Sequence, residues 1–196
     1  MSETFYLTSS AIPPSPTGDY TSYQTTLLIP HETLRREFIR GNNALKSFDL
    51  AKHPWKIHCF HKWYSEYFLP GLHEHHDIEE KIFFPFYSKL GCPTPNLQCD
   101  DHKSIMKQLE DIKERASALL HLVIAGGQDN AERIASLSAE LRTAFETLAE
   151  QTLVHLAEEE KFWTTVTEQY GEVYFNYVCV YFLIVCFRKA AWMLKN

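Results

Sequence analysis

The chain has 196 residues, 45% of them hydrophobic and 22% charged, an ordinary composition for one globular domain with a real core. Nineteen Lys and Arg against 25 Asp and Glu give a net charge of −6 with no basic block, so no nucleic-acid partner is expected. The five cysteines, Cys59, Cys92, Cys99, Cys179 and Cys186, include no C-x-x-C pair, which argues against a zinc knuckle or disulfide framework and for a reducing, cytoplasmic setting.

The opening Met1-Ser2-Glu3-Thr4 has no basic stretch leading into an apolar one, so no secretory leader is expected. Residues 1–20, with Pro13, Pro14, Pro16 and Gly18 among Ser and Thr, read as a flexible arm. From 21 to 170 four segments carry helical periodicity, divided by breakers at 48–54, 91–96 and 125–130. The first has its stripe at Leu27, His31, Leu34, Phe38, Gly41, Leu45 and Phe48, with Pro30 as a kink or as the first turn. The second runs Phe68, Leu72, His75, Glu79, Ile82, Phe86, with a bend expected at Pro70-Gly71. His102, Ile105, Leu109, Ile112, Ala116, Leu119 and Val123 form the third stripe. The fourth is Ile134, Leu137, Leu141, Phe145, Leu148, Thr152, His155, Glu159, Phe162 and Val166. Four amphipathic helices with short connections predict an all-α, up-down-up-down four-helix bundle. Residues 171–196 form an apolar tail; as a helix, 173–187 would span about 22 Å against the roughly 30 Å hydrocarbon core, so packing on the bundle or on a partner is expected before a membrane anchor.

Ten histidines hold most of the information. His31, His75, Glu79, His102, His155 and Glu159 fall on core-facing stripes, where an unpaired imidazole or carboxylate costs several kcal/mol by order of magnitude. In an antiparallel bundle, early positions of helices one and three lie beside late positions of helices two and four, which puts all six in one layer. Helices two and four also share H-x-x-x-E-E-K followed by two apolar residues, starting at His75 and at His155. Residues at i and i+4 stack on one helix face, so each pair aims an imidazole and a carboxylate at one point. The repeat selects the His75 register: His73 is about 200° around the helix and faces away, while His76, about 100° around, is expected beside the ligand set rather than in it. His61 is 14 residues from His75, roughly 21 Å along a helix, and serves another purpose. Four imidazoles and two carboxylates suit first-row transition ions with N/O preference, and the two carboxylates suit bridging a pair. No histidine follows a glutamate by three residues, and H-E-x-x-H is absent, which excludes the ferritin-type and zincin motifs.

These residues, His31 in I-P-H-E-T-L-R-R-E-F, the run H-H-D-I-E-E-K-I-F-F-P from His75, His102 in D-D-H-K-S-I and H-L-A-E-E-E from His155, resemble a hemerythrin-like, HHE-type cation-binding domain over about 21–170. The resemblance implies a non-haem diiron centre, manganese being the other candidate, with Glu79 and Glu159 bridging and His31, His75, His102 and His155 as terminal ligands. It also implies dioxygen or a small anion as the molecule handled at the centre. A diiron oxidase or peroxide-reducing enzyme and a metal-free helical interaction module are the alternatives. Oxygen-carrying relatives have H-x-x-x-H on the third helix, whereas here His102 is followed at i+4 by Met106. One imidazole short, the centre is expected to hold an extra open position and to autoxidise quickly.

Overall fold

Helix α1 (Ile29–Lys46) places Pro30 in its first turn, where the missing N–H would have had no helical partner, so the proline starts the helix rather than kinking it. Glu32 in the first turn and Lys46 in the last complement the helix dipole. The computed structural model describes residues 27–89, 91–92, 98–126 and 130–170, so the arm at 1–20 and the tail at 171–196 lie outside the described residues.

Helix α2 runs unbroken over 55–89 as α-helical Trp55–Trp63, Leu69–Ile78 and Phe84–Lys89, joined by π-helical turns at Tyr64–Phe68 and Glu79–Phe83. Each π turn is followed at the second residue of the next segment by a proline, Pro70 and Pro85. A wider turn accommodates a residue that cannot donate to the carbonyl four positions back. The helix therefore passes through Pro70 without stopping. Gly91, at φ 75°, ends α2 in the left-handed conformation, with its N–H donating to the Ser88 carbonyl at 3.1 Å and the Cys92 N–H to Tyr87 at 3.0 Å. Helix α3 (Gln98–Ala125) ends before Gly126 at φ 65°, and α4 (Ala131–Tyr170) is the longest element. Every regular element among the described residues is helical. No helix among them is long and apolar enough to cross a membrane.

Helix α1 packs on α4 and on the start of α2, α2 packs on α3, and α3 packs on α4. The main core gathers Phe38, Ile57, Tyr64, Leu72, Ile105, Leu109, Leu119, Phe145 and Leu148, all essentially without exposure. A smaller cluster holds Leu27, Ile78, Phe83, Tyr87, Cys92, Trp163 and Val166. Three buried apolar residues differ from the expected stripes. Phe83 and Tyr87 are buried where Ile82 and Phe86 were expected, because the π turn at Glu79–Phe83 advances the inward face by one residue. On α4, Trp163 is 1% exposed and takes the place expected of Phe162, which is only partly buried.

Gly41 sets the closest approach of α1 to its neighbours. A Cβ built there would collide with the Phe145 ring, its Cε1 at 2.8 Å, and lie 2.9 Å from Trp63 Cη2. Alanine is the better helix former by about 1 kcal/mol, but overpacking a fixed aromatic wall costs typically 1–3 kcal/mol. Gly41→Ala is therefore expected to lower unfolding free energy in urea, whereas exposed Gly71→Ala, whose Cβ meets nothing within 4 Å, is expected to leave it level or raised.

Candidate metal centre

One polar layer separates the two apolar clusters. On α1, His31 lies between Leu27 of the smaller cluster and Leu34 of the larger; on α4, His155 and Glu159 lie between Leu148 and Trp163. All six residues expected from the sequence meet there: His31 at 0%, Glu79 at 0%, Glu159 at 1%, His102 at 2% and His155 at 3% exposure, with the His75 side chain at 10%. The i,i+4 pairs have the expected form, with Nε2 of His75 3.3 Å from Glu79 and Nε2 of His155 3.3 Å from Glu159. Across helices, His31 Nε2 is 3.9 Å from Glu79 and 3.7 Å from Glu159, and His102 Nε2 is 3.7 Å from each carboxylate.

His76 joins them, against the expectation that it lies outside the set. It is 3% exposed, and its ring stacks on His102 with centroids 4.1 Å apart and planes at 15°. The cause is the helix itself. In a regular α-helix, steps of four overshoot by about 40° each, but the π turn at Tyr64–Phe68 widens the spiral and keeps Tyr64, Phe68, Leu72 and His76 on the inward side. The signal available in the sequence was this spacing by fours, ending on a histidine.

The donors form two overlapping groups. His31, His75, Glu79 and Glu159 are one; His76, Glu79, His102 and His155 are the other; within each group the ligating atoms all lie within 4.8 Å of one another. Glu79 belongs to both, and Glu159 reaches toward the second group through His155 and His102. Both oxygens of Glu79 and of Glu159, both nitrogens of His76 and the Nε2 atoms of His31 and His75 are buried without a hydrogen-bond partner. Nε2 of His102 and Nε2 of His155 face each other at 2.9 Å. Buried polar atoms left in this state cost about 1–3 kcal/mol each, more when charged, and their convergence gives a group that could hold cations. Nitrogen and carboxylate donors with no thiolate suit first-row divalent ions.

An outer ring of carboxylates fixes the imidazoles. Glu160 accepts from His31 Nδ1 at 2.9 Å and from Arg35 Nη2 at 2.7 Å. Glu80 accepts from His102 Nδ1 at 2.9 Å, and Asp101 stands 3.8 Å from His155 Nδ1. A proton held on Nδ1 leaves the Nε2 lone pair pointing inward, the arrangement that metal-binding histidines use. The remaining histidines do other things: His73 is half exposed and 3.6 Å from Asp77, His61 hydrogen-bonds Ser117 at 3.0 Å, and His53, His58 and His121 are exposed.

The electrostatics reflect crowding of like groups. Burial acts to lower the His31 pKa, but Glu160, Glu79 and Glu159 outweigh it and push it up to about 9. Burial and the neighbouring His31 charge pull His75 down to about 3, and burial with the surrounding imidazoles depresses His76 well below its ordinary value. Burial and Glu159 push Glu79 up; in Glu159 the raising effect of burial is overcome by His102 and His155, which hold it low. His31 therefore keeps its proton at neutral pH, and a cation bound through its Nε2 would have to displace it.

No family model matches the chain, and neither a curated protein nor a solved structure does at a significant level.

Two outcomes test this geometry. His76→Ala is expected to lower divalent-ion stoichiometry, measured by elemental analysis after desalting, as much as His102→Ala does, while His73→Ala leaves it unchanged. Because the free His31 imidazole needed for binding is lost as pH falls below about 9, apparent affinity is expected to drop roughly tenfold per pH unit between 8 and 6.5, with proton release on binding detectable by calorimetry in buffers of different ionisation enthalpy.

Proposed function

We propose that the chain is a hemerythrin-like, non-haem diiron-binding protein built as an up-down-up-down bundle, and that it binds dioxygen or a small anion at its dinuclear centre. One observation carries this reading: two buried four-donor groups share Glu79 and leave most of their ligating atoms without any other partner. Five carboxylates, Glu79, Glu80, Asp101, Glu159 and Glu160, stand in or around the layer and one guanidinium, Arg35, pairs with Glu160, so a pair of divalent ions would come close to balancing the charge. Iron is the preferred occupant and manganese the next, since both accept mixed imidazole and carboxylate donors.

The two halves are unequal. His76, His102 and His155 supply three imidazoles to one ion, whereas His31 and His75 supply two to the other. Iron bound there would supply an electron-rich ion able to take a small ligand, and the smaller number of imidazoles favours the His31 and His75 side for it. His31 is oriented for this by Glu160 and Arg35, and the flanking apolar clusters keep bulk water away from whatever enters.

His76 also removes the ground for expecting fast autoxidation. The imidazole missing at Met106 is replaced from α2, and the Met106 side chain packs against the main core. Protein purified without added metal is expected to contain about two irons per chain, in line with a two-ion site. Stopped-flow mixing of the diferrous protein with dioxygen should give a spectrum that reverts on deoxygenation; immediate, irreversible conversion to the diferric form, or purification with zinc alone, would count against this reading.

A further inference from the structure

A row of nearly parallel rings leads out of the polar layer. His76 stacks on His102 at 4.1 Å and 15°, Phe84 lies over His102 at 6.2 Å and 21°, and Trp163 continues over Phe84 at 6.3 Å and 16°. Tyr87 touches the far end, its centroid 4.5 Å from that of Trp163. Among the described residues, Phe84 alone joins a site imidazole to an aromatic cluster; the larger cluster of Phe38, Phe60, Trp63, Tyr64, Phe68 and Phe145 makes its ring contacts within itself.

We propose that Trp163 and Tyr87 are one-electron donors wired to the metal centre through Phe84 and the His102 and His76 rings, and that they reduce peroxide arriving at that centre. The inference rests on the metal-binding reading above.

Packing alone asks only for apolar volume, which Leu or Phe would supply. Here the two terminal rings are the two most easily oxidised aromatic side chains, both 1% exposed and both reached from the ligands by ring-to-ring contact. Electron tunnelling falls steeply with distance and passes more readily through packed rings than through a gap, and Phe84, which is not itself oxidised, fills the space between Trp163 and His102 as the bridge. Sequence places the donors close as well: Trp163 lies one turn beyond Glu159 on α4, and Tyr87 two turns beyond Glu79 on α2.

The chemistry balances with hydrogen peroxide as the oxidant. Its O–O bond breaks on taking two electrons and two protons to give two waters. The indole and the phenol each lose one electron and one proton, becoming a tryptophanyl and a tyrosyl radical. External thiol reductants then restore both rings, one electron and one proton each. The relay directs oxidising equivalents away from the ligating imidazoles, whose oxidation would destroy the site.

The test uses the full chain loaded with iron, mixed with hydrogen peroxide and freeze-quenched for EPR, with iron measured on the same sample. A protein radical is expected, and ring-deuterated tyrosine or tryptophan should narrow its hyperfine pattern. Tyr87→Phe should leave only the tryptophan-centred signal, and the Trp163→Phe/Tyr87→Phe double variant should lower radical yield by at least an order of magnitude. The same double variant, with iron content and helical circular dichroism retained, should accumulate oxidised histidine and lose iron over repeated peroxide additions. Full iron with no radical, or a radical undiminished in the double variant, overturns the relay while leaving the metal centre standing. Failure to hold iron overturns both.

Discussion

Glu79 and Glu159 lie at 0% and 1% exposure with both oxygens of each unmatched by any hydrogen bond, and the rest of the structure is arranged around that burial. Ionised carboxylates in a low-dielectric interior are tolerated only when paired, because the desolvation penalty is several kcal/mol per ion even after relaxation. The His31 proton offsets part of this, held between Glu160 on one ring nitrogen and the two inner carboxylates on the other. It cannot satisfy four carboxylate oxygens. A cation on the shared edge does what a proton cannot, since it accepts several lone pairs at once. All four helices must therefore deliver donors at one height, and a slip of one residue in any of them would bury the donor elsewhere.

The repeated H-x-x-x-E-E-K, and the early positions of His31 and His102 against the late positions of the other four residues, were readable in the sequence because they depend only on the ordinary 3.6-residue period. His76, Phe83 and Tyr87 were not, because that period fails locally in α2. Two π turns change which residues face inward, and their only local trace is the prolines that follow them, Pro70 and Pro85, which read just as naturally as bends. Both turns border the segment that presents His75 and His76, one beginning at Glu79 itself. His75 and His76 themselves stand on a regular α-helical segment, where the 100° between neighbours places them in different donor groups.

The outer ring was legible only in part. Glu80 and Glu160 follow Glu79 and Glu159 directly and read either as solvated acids or as acids supporting the ligand set from behind. Each reaches sideways to an imidazole on a different helix, Glu80 to His102 and Glu160 to His31. The Glu-Glu doublet therefore does two jobs at once: the first acid points into the layer and the second orients a ligand across it. This explains why the doublet is repeated in α2 and α4, the helices that carry the bridging acids, and why α1 and α3 contribute only a histidine each to the inner set. His75 and His76 have no carboxylate of this kind in the described contacts, so the ring divides the imidazoles into tethered and untethered sets.

That division bears on where the centre can change. His31, His102 and His155 are braced by acids on neighbouring helices, so moving them would disturb interhelical packing. His75 is the only site imidazole with appreciable exposure, and it stands in the group with fewer nitrogen donors. The stacked side, by contrast, is rigid: His76 lies against His102, His102 against Phe84, and Phe84 against Trp163, each near parallel to the next. The layer is therefore asymmetric, with an untethered, slightly exposed imidazole at one end and a near-parallel aromatic stack at the other.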